Sequence, residues 1–138
     1  MDQKVVSPMD KIPAYRAISP VFTVADISAT MNWYKTKLGF RTDPFPDHEP
    51  YVFAIVFRDN IEIMLQFVVG YEKPEVYRTR SGGVWDAYIR STDVKSLYEA
   101  IKGEVTIVQP LRQQPYGAWE FEVKDPNGYV LVFSQMHE

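Results

Sequence analysis

The sequence predicts an α+β fold of two tandem βαβββ modules, and three observations carry that expectation. A strand-like alternation runs into an amphipathic helix behind Asp26, and the same succession recurs behind Asp93. Each helix is followed by short β-branched and aromatic runs of strand length. Those runs are separated by turn chemistry, Asp59-Asn60 in the first half and Asp125-Pro126-Asn127-Gly128 in the second. Switching from a period of two to a period of 3.6 and back, twice over, is the signature of repeated mixed units.

The elements follow in order. From Ala17, "AISPVFTVADISATMNWYKTKLGF" starts as a strand with Ile18, Phe22 and Val24 on one face and Ser19, Val21 and Thr23 on the other. Asp26 is placed to cap a helix whose Ile27, Met31, Tyr34 and Leu38 form one apolar stripe, and Gly39 stops it. "DPFPDHEP" reads as a proline-broken loop, after which "YVFAIVFR" and "IEIMLQFV" pair as a hairpin, since Asp and Asn tolerate the positive φ of a tight turn. In the second half Trp85 to Arg90 alternates, Asp93 caps, Val94, Leu97, Tyr98 and Ile101 line a helix face, and Gly103 is the expected stop. Strands are expected at Val105 to Val108 and Trp119 to Val123, then the turn, then a last strand of alternating side chains.

These spans divide the chain into an N-terminal arm (1–16), a first module (17–69), a linker (70–82) and a second module (83–135). Pro8 and Pro13 interrupt any helix in the arm, leaving a disordered segment or an extra edge strand as its two readings. The modules should form a curved mixed sheet around a shared cleft, with the helices on the outer face. Function is therefore sought on the strand faces turned away from the helices.

Composition narrows the classes. With 46% hydrophobic and 14% aromatic residues in 138, the chain can bury a core, and the aromatic content argues against disorder of the chain as a whole. Having no cysteine, it has no disulfide, thiolate nucleophile or Cys-based metal site, and a reducing cytoplasm is the expected compartment. No signal peptide or membrane-spanning run is read. A net charge of −3 without a basic stripe argues against nucleic acid and suits a neutral or cationic small molecule. No Ser-His-acid set or phosphate loop can be drawn, so no catalytic residue is assigned.

"PVFTVADISATMNWYKTKLGF", "VFRDNIEIMLQ", "DAYIRSTDVKSLYEAIKG" and "YGAWEFEVKDPNGYVLVF" resemble the glyoxalase and bleomycin-resistance family of the vicinal oxygen chelate superfamily, over residues 17 to 135. In metal-dependent members the resemblance implies four ligands, one from the first and last strand of each module. Carried over by motif, those slots are Ser19, Met64, Asp86 and Val132. Only Asp86 suits a hard divalent cation, and His48 and His137 are the only imidazoles, in a loop and beside the C-terminus, so no metal and no other cofactor is expected.

Alternation places Ser19, Val21 and Thr23, Glu62, Met64 and Gln66, Asp86, Tyr88 and Arg90, Ala118 and Glu120, and Val130, Val132 and Ser134 on the cleft face. That mixture of apolar walls and few polar groups matches an organic-ligand pocket. The expected ligand-binding set is Ser19, Glu62, Met64, Asp86, Tyr88, Arg90, Tyr116, Glu120 and Val132, with Tyr116 on a loop at the cleft mouth. Trp119 shares its parity with Phe121 and Val123 and is assigned to the core, and Trp33 to packing or a dimer contact.

The leading expectation is a metal-free small-molecule-binding protein of the bleomycin-resistance type, sequestering an organic, cationic or aromatic ligand without catalysis. The resemblance further implies a homodimer and an antibiotic-resistance role. The alternatives are a metal-dependent lyase, isomerase or ring-cleaving dioxygenase whose ligands have moved to His48, Glu49, Glu120 or Glu122, and a partner-binding protein whose cleft is filled by bulky side chains.

Overall fold

The computed structural model describes residues 7–76, 79–80 and 82–136. In the first module β1 (Val21–Val24) leads through α1 (Ile27–Leu38) to β2 (Arg41–Phe45), β3 (Phe53–Arg58) and β4 (Ile61–Phe67). In the second, β5 (Ala87–Arg90) leads through α2 (Val94–Ile101) to β6 (Thr106–Gln113), β7 (Ala118–Lys124) and β8 (Val130–Met136). Each module is a mixed four-stranded sheet, ordered β1-β4-β3-β2 and β5-β8-β7-β6. The first strand of each runs parallel to the last, and the other pairs are antiparallel. A helical crossover is what a parallel pair requires.

Both helices start as the sequence predicts. The carboxylate of Asp26 accepts the Ala29 N–H at 2.9 Å, and that of Asp93 accepts the Ser96 N–H at 3.1 Å. The stripe of Ile27, Met31, Tyr34 and Leu38 is buried, with Thr30 beside it. Gly39 ends α1 at φ 71°, and a Cβ there would run into the Arg58 guanidinium, which donates to the Leu38 carbonyl. α2 ends differently from the expectation. Lys102 caps it with its N–H still bonded to the Tyr98 carbonyl at 2.9 Å, and Gly103 does not adopt a left-handed conformation.

Three strand expectations also shift. Pro20 carries no N–H to pair, so β1 begins only at Val21 and Ile18, expected on the core face, is 96% exposed. The supposed loop at 43–50 begins inside a strand, β2, whose Pro44 is tolerated because this is the sheet edge. β6 extends to Gln113 through two register shifts, well past Val108. In the arm, a single 3₁₀ turn over Pro8–Lys11 is closed by a capping box on Ser7, and residues 7 to 18 are exposed.

One apolar cluster holds the modules together. Phe22 and Val24 from β1, the α1 stripe, and Phe121, Leu131 and Phe133 from the second sheet belong to it. At the seam Phe22 stacks on Tyr129 with centroids 4.1 Å apart. The Tyr129 hydroxyl donates to the Thr23 carbonyl at 2.7 Å, and the Tyr34 hydroxyl to Asp125 at 2.8 Å. The DPNG turn therefore does more than reverse the chain, because Asp125 and Asn127 pin it to α1 across the module boundary. No helix among the described residues is long and apolar enough to cross a membrane.

Candidate functional site

Register aligns the strand faces turned away from the helices into rows. In the first module Val21 stands beside Met64, which stands beside Ile55 and then Asp43. The next rows bring Thr23, Gln66, Phe53 and Phe45 together, and Glu62, Phe57 and Arg41. Val21 and Phe45 are exposed and Phe53, Ile55, Phe57 and Met64 half-buried, so this face carries an open apolar patch, with Thr23, Arg41, Asp43, Glu62 and Gln66 as its polar members. Its opposite face, with Ala54, Val56, Ile63 and Leu65, is fully covered.

The corresponding face of the second module is more closed. Tyr88 is in register with Val132 and that with Glu122, while Arg90 is in register with Ser134 and that with Glu120. Glu120 is 2% exposed, and both its oxygens are held by tyrosines. The Tyr88 hydroxyl donates to Oε2 at 2.5 Å and the Tyr116 hydroxyl to Oε1 at 2.6 Å. Tyr88 also lies 2.7 Å from the Ser134 hydroxyl. Burial raises the Tyr88 pKa, and the hydrogen bond to Glu120 adds to it. Tyr116 is raised further by the same two causes, so both phenols stay protonated donors at neutral pH.

The chain before β5 runs across this face. Gly83 N–H reaches Glu122 Oε2 at 3.4 Å, and Trp85 tilts against Tyr88 with centroids 5.3 Å apart. Gly82 is buried at φ 76°, a left-handed conformation that favours glycine, and a Cβ there would come within 2.6 Å of the Gln109 side-chain amide, which would have to move aside. A cavity of about 450 Å³ opens between this segment and β6, walled by Arg80, Trp85, Gln109, Arg112, Tyr116 and Glu122.

Of the residues singled out from sequence, Tyr88, Tyr116 and Glu120 form one hydrogen-bonded group, and Arg90 lies over the Tyr88 ring with its guanidinium carbon 5.4 Å from the centroid. Val132 is fully buried in the same wall. Met64 and Glu62 are on the first module's open face, and Ser19 precedes β1, half-buried. Asp86 lies one residue before β5, where its carboxylate accepts the Val130 N–H at 2.8 Å and pairs with Lys73 at 3.4 Å. Trp119 packs on the α2 side, as its parity indicates. His48 is an exposed loop residue hydrogen-bonded to Asp47, and His137 lies outside the described residues. Sequence reasoning missed Trp85, Gln109 and the Gly82-Gly83 crossing, for which adjacent glycines ahead of a tryptophan are the one available signal.

Comparison with known proteins bears on this arrangement. The sequence profile of the Glyoxalase/Bleomycin resistance protein/Dioxygenase superfamily matches residues 17–133. The chain belongs to that superfamily. Its architecture is shared with solved members. A glyoxalase-related enzyme from Clostridium phytofermentans superposes with a TM-score of 0.73 at 17% identity, over 92% of this chain and 99% of that one. TioX from Micromonospora sp. ML1 gives 0.66 at 19%, over 89% and 98%. The bleomycin-binding protein of bleomycin-producing Streptomyces verticillus, solved with copper(II)-bleomycin, gives 0.64 at 24%, over 92% and 100%. At these identities the likeness is one of fold. No curated protein sequence matches the chain.

Superfamily membership raises the question of a metal, and the four slots do not fit one. Val132 offers no donor atom and is buried, Met64 offers a thioether, and Ser19 a neutral hydroxyl. Asp86 alone is a carboxylate, already engaged by Val130 and Lys73. Among the described residues no three His, Asp or Glu side chains come together as a metal site would require.

Proposed function

We propose that the protein binds an organic small molecule on the sheet faces turned away from its helices and sequesters it without a metal. The observation that carries this reading is Glu120. Its carboxylate is buried at the foot of an aromatic wall and held by two neutral phenols, with no Lys or Arg within ion-pair distance among the described residues. The rings of Tyr88, Trp85 and Tyr116 stay partly exposed above it, offering stacking surface over a negative field. A planar ligand carrying a cationic group suits that combination, and a bleomycin-like glycopeptide is one candidate, by likeness to the Streptomyces verticillus protein.

The first module's open face supports a second part of the reading, a homodimer. Phe45 is 65% exposed and Val21 49%, beside half-buried Phe53, Ile55, Phe57 and Met64. An apolar patch of this kind is stable in water when another surface covers it, and a second copy placing its Glu120 wall opposite would close a cleft. Ile55→Asp is expected to convert a dimer to monomer in sedimentation equilibrium while leaving the circular dichroism unchanged. A wild-type monomer at about 100 μM would remove this part of the reading.

Calorimetric titration against metal-free and copper-loaded bleomycin, other cationic aromatic antibiotics and a metabolite panel tests the binding itself. The expected result is a saturable binder whose affinity falls about tenfold in Tyr116→Phe and further in Glu120→Gln. The reading fails if no ligand saturates, or if a binder found is indifferent to both substitutions.

A further inference from the structure

We infer that the second module carries a separate site for a planar organic anion, at the end of its sheet. Arg90 at the end of β5 and the loop Ser91-Thr92-Asp93 leading to α2 wall an open cavity of about 790 Å³, completed by Lys95, Trp119 and the end of β8. Neither Glu120, Glu122 nor Tyr116 lines it; it adjoins the cleft surface above, sharing Tyr88, Arg90 and Ser134 with that wall and adding Lys95, Trp119 and the loop before α2.

Charge decides the class of ligand. Both basic side chains of this cavity lie over aromatic rings: Lys95 Nζ is 4.2 Å from the Trp119 centroid and the Arg90 guanidinium 5.4 Å from that of Tyr88. Neither has a carboxylate within ion-pair distance among the described residues. The one acid present, Asp93, turns its oxygens to the start of α2 and stays an anion, so it offsets one of the two cations and leaves the cavity net positive. Its Oδ1 takes the Ser96 N–H at 3.1 Å and its Oδ2 the Ser96 hydroxyl at 2.8 Å, and these bonds hold its pKa below the ordinary value. In a chain of net charge −3, this cavity has more cations than acids among its lining residues.

The loop is also held in place. Gln135 Nε2 donates to the Thr92 carbonyl at 2.6 Å and its Oε1 accepts the Val94 N–H at 2.9 Å, so one side chain ties β8 to both sides of the Asp93 cap. A planar ligand lying across the end of the sheet would meet Tyr88 on one side and Trp119 on the other, and a carboxylate, sulfonate or phosphate on it would meet Arg90 and Lys95. The hydroxyls of Ser91 and Thr92 supply further donors on the same wall. An aromatic anion fits both features; a cation meets two like charges against the single carboxylate of Asp93.

Naphthoate and its neutral isostere naphthamide, titrated by calorimetry into the full chain, test this. Naphthoate should bind about tenfold tighter, and the difference should shrink as ionic strength rises, because charge alone separates the two probes. Lys95→Gln should reduce the preference and the Arg90→Gln, Lys95→Gln double variant should abolish it. Arg58→Gln, at a cation of the neighbouring cavity beside Leu97, should leave it intact. Equal binding of the two probes, or a preference for naphthoate that survives the double variant, overturns the assignment.

Discussion

Asp125→Ala is expected to lower the unfolding free energy by about 3 kcal/mol or more, read as a drop in urea midpoint without a change of slope. The carboxylate is 4% exposed and accepts three donors: the Tyr34 hydroxyl at 2.8 Å, the Asn127 N–H at 2.8 Å and the Tyr129 N–H at 2.9 Å. Truncation leaves the fully buried Tyr34 hydroxyl without its acceptor, and it loosens the turn that joins the second module to α1. Asp125→Asn keeps the shape and an acceptor oxygen, and should cost clearly less. Burial raises the Asp125 pKa above its ordinary value of 3.8, against the lowering effect of its donors, led by Tyr34. The folded state thus holds this proton more tightly than the unfolded chain. The stability gained is fully present below the unfolded pKa and is lost as pH rises through the folded one. The gap between wild type and Asp125→Ala should accordingly be widest below the ordinary value of 3.8 and narrow as pH rises through the folded-state pKa. A gap that widens with rising pH would show that the carboxylate is stabilised in its charged form.

Which features were legible in the sequence follows from how local their causes are. Asp26, Asp93 and the stripe of Ile27, Met31, Tyr34 and Leu38 act within a turn or two of chain, and the structure places them as spacing alone indicates. The Asp59-Asn60 turn is equally local, and Asp59 takes the expected positive φ, at 52°. Pro44 misled because a proline reads as a breaker until the strand order shows β2 at an edge. Ile18 misled for the opposite reason, since alternation was carried through Pro20, which cannot join the ladder.

The site divides in the same way. Parity put Tyr88, Glu120 and Val132 on one face, a property of single strands. That Tyr88 and Tyr116 both close on Glu120 depends on the register of β5, β7 and β8 and on the bend at Gly117, at φ 99°. The anionic-ligand cavity was less legible still. Arg90 and Trp119 have opposite parity, and only the end of the sheet brings both to one space.

Val132→Glu is expected to be the most damaging single change on the cleft side, costing about 3 kcal/mol or more at neutral pH. Val132 is 0% exposed and stands in register between Tyr88 and Glu122, itself 4% exposed. A second carboxylate there must leave water and lie beside a buried one of the same charge. Both effects raise its pKa, so the loss should shrink as pH falls toward the carboxylate range and the new group is protonated. The substitution also bears on the metal question, because Val132 occupies the slot of the last superfamily ligand. With Ser19 and Met64 at two of the other slots and Asp86 tied to Val130 and Lys73, the new carboxylate should gather no metal site around it. Denaturation series of wild type and variant, each with and without nickel or manganese, should therefore give metal-independent midpoints. A wild-type midpoint that climbs with either ion would mean that ligands other than these four hold a metal, and would return the protein to the enzymes of its superfamily.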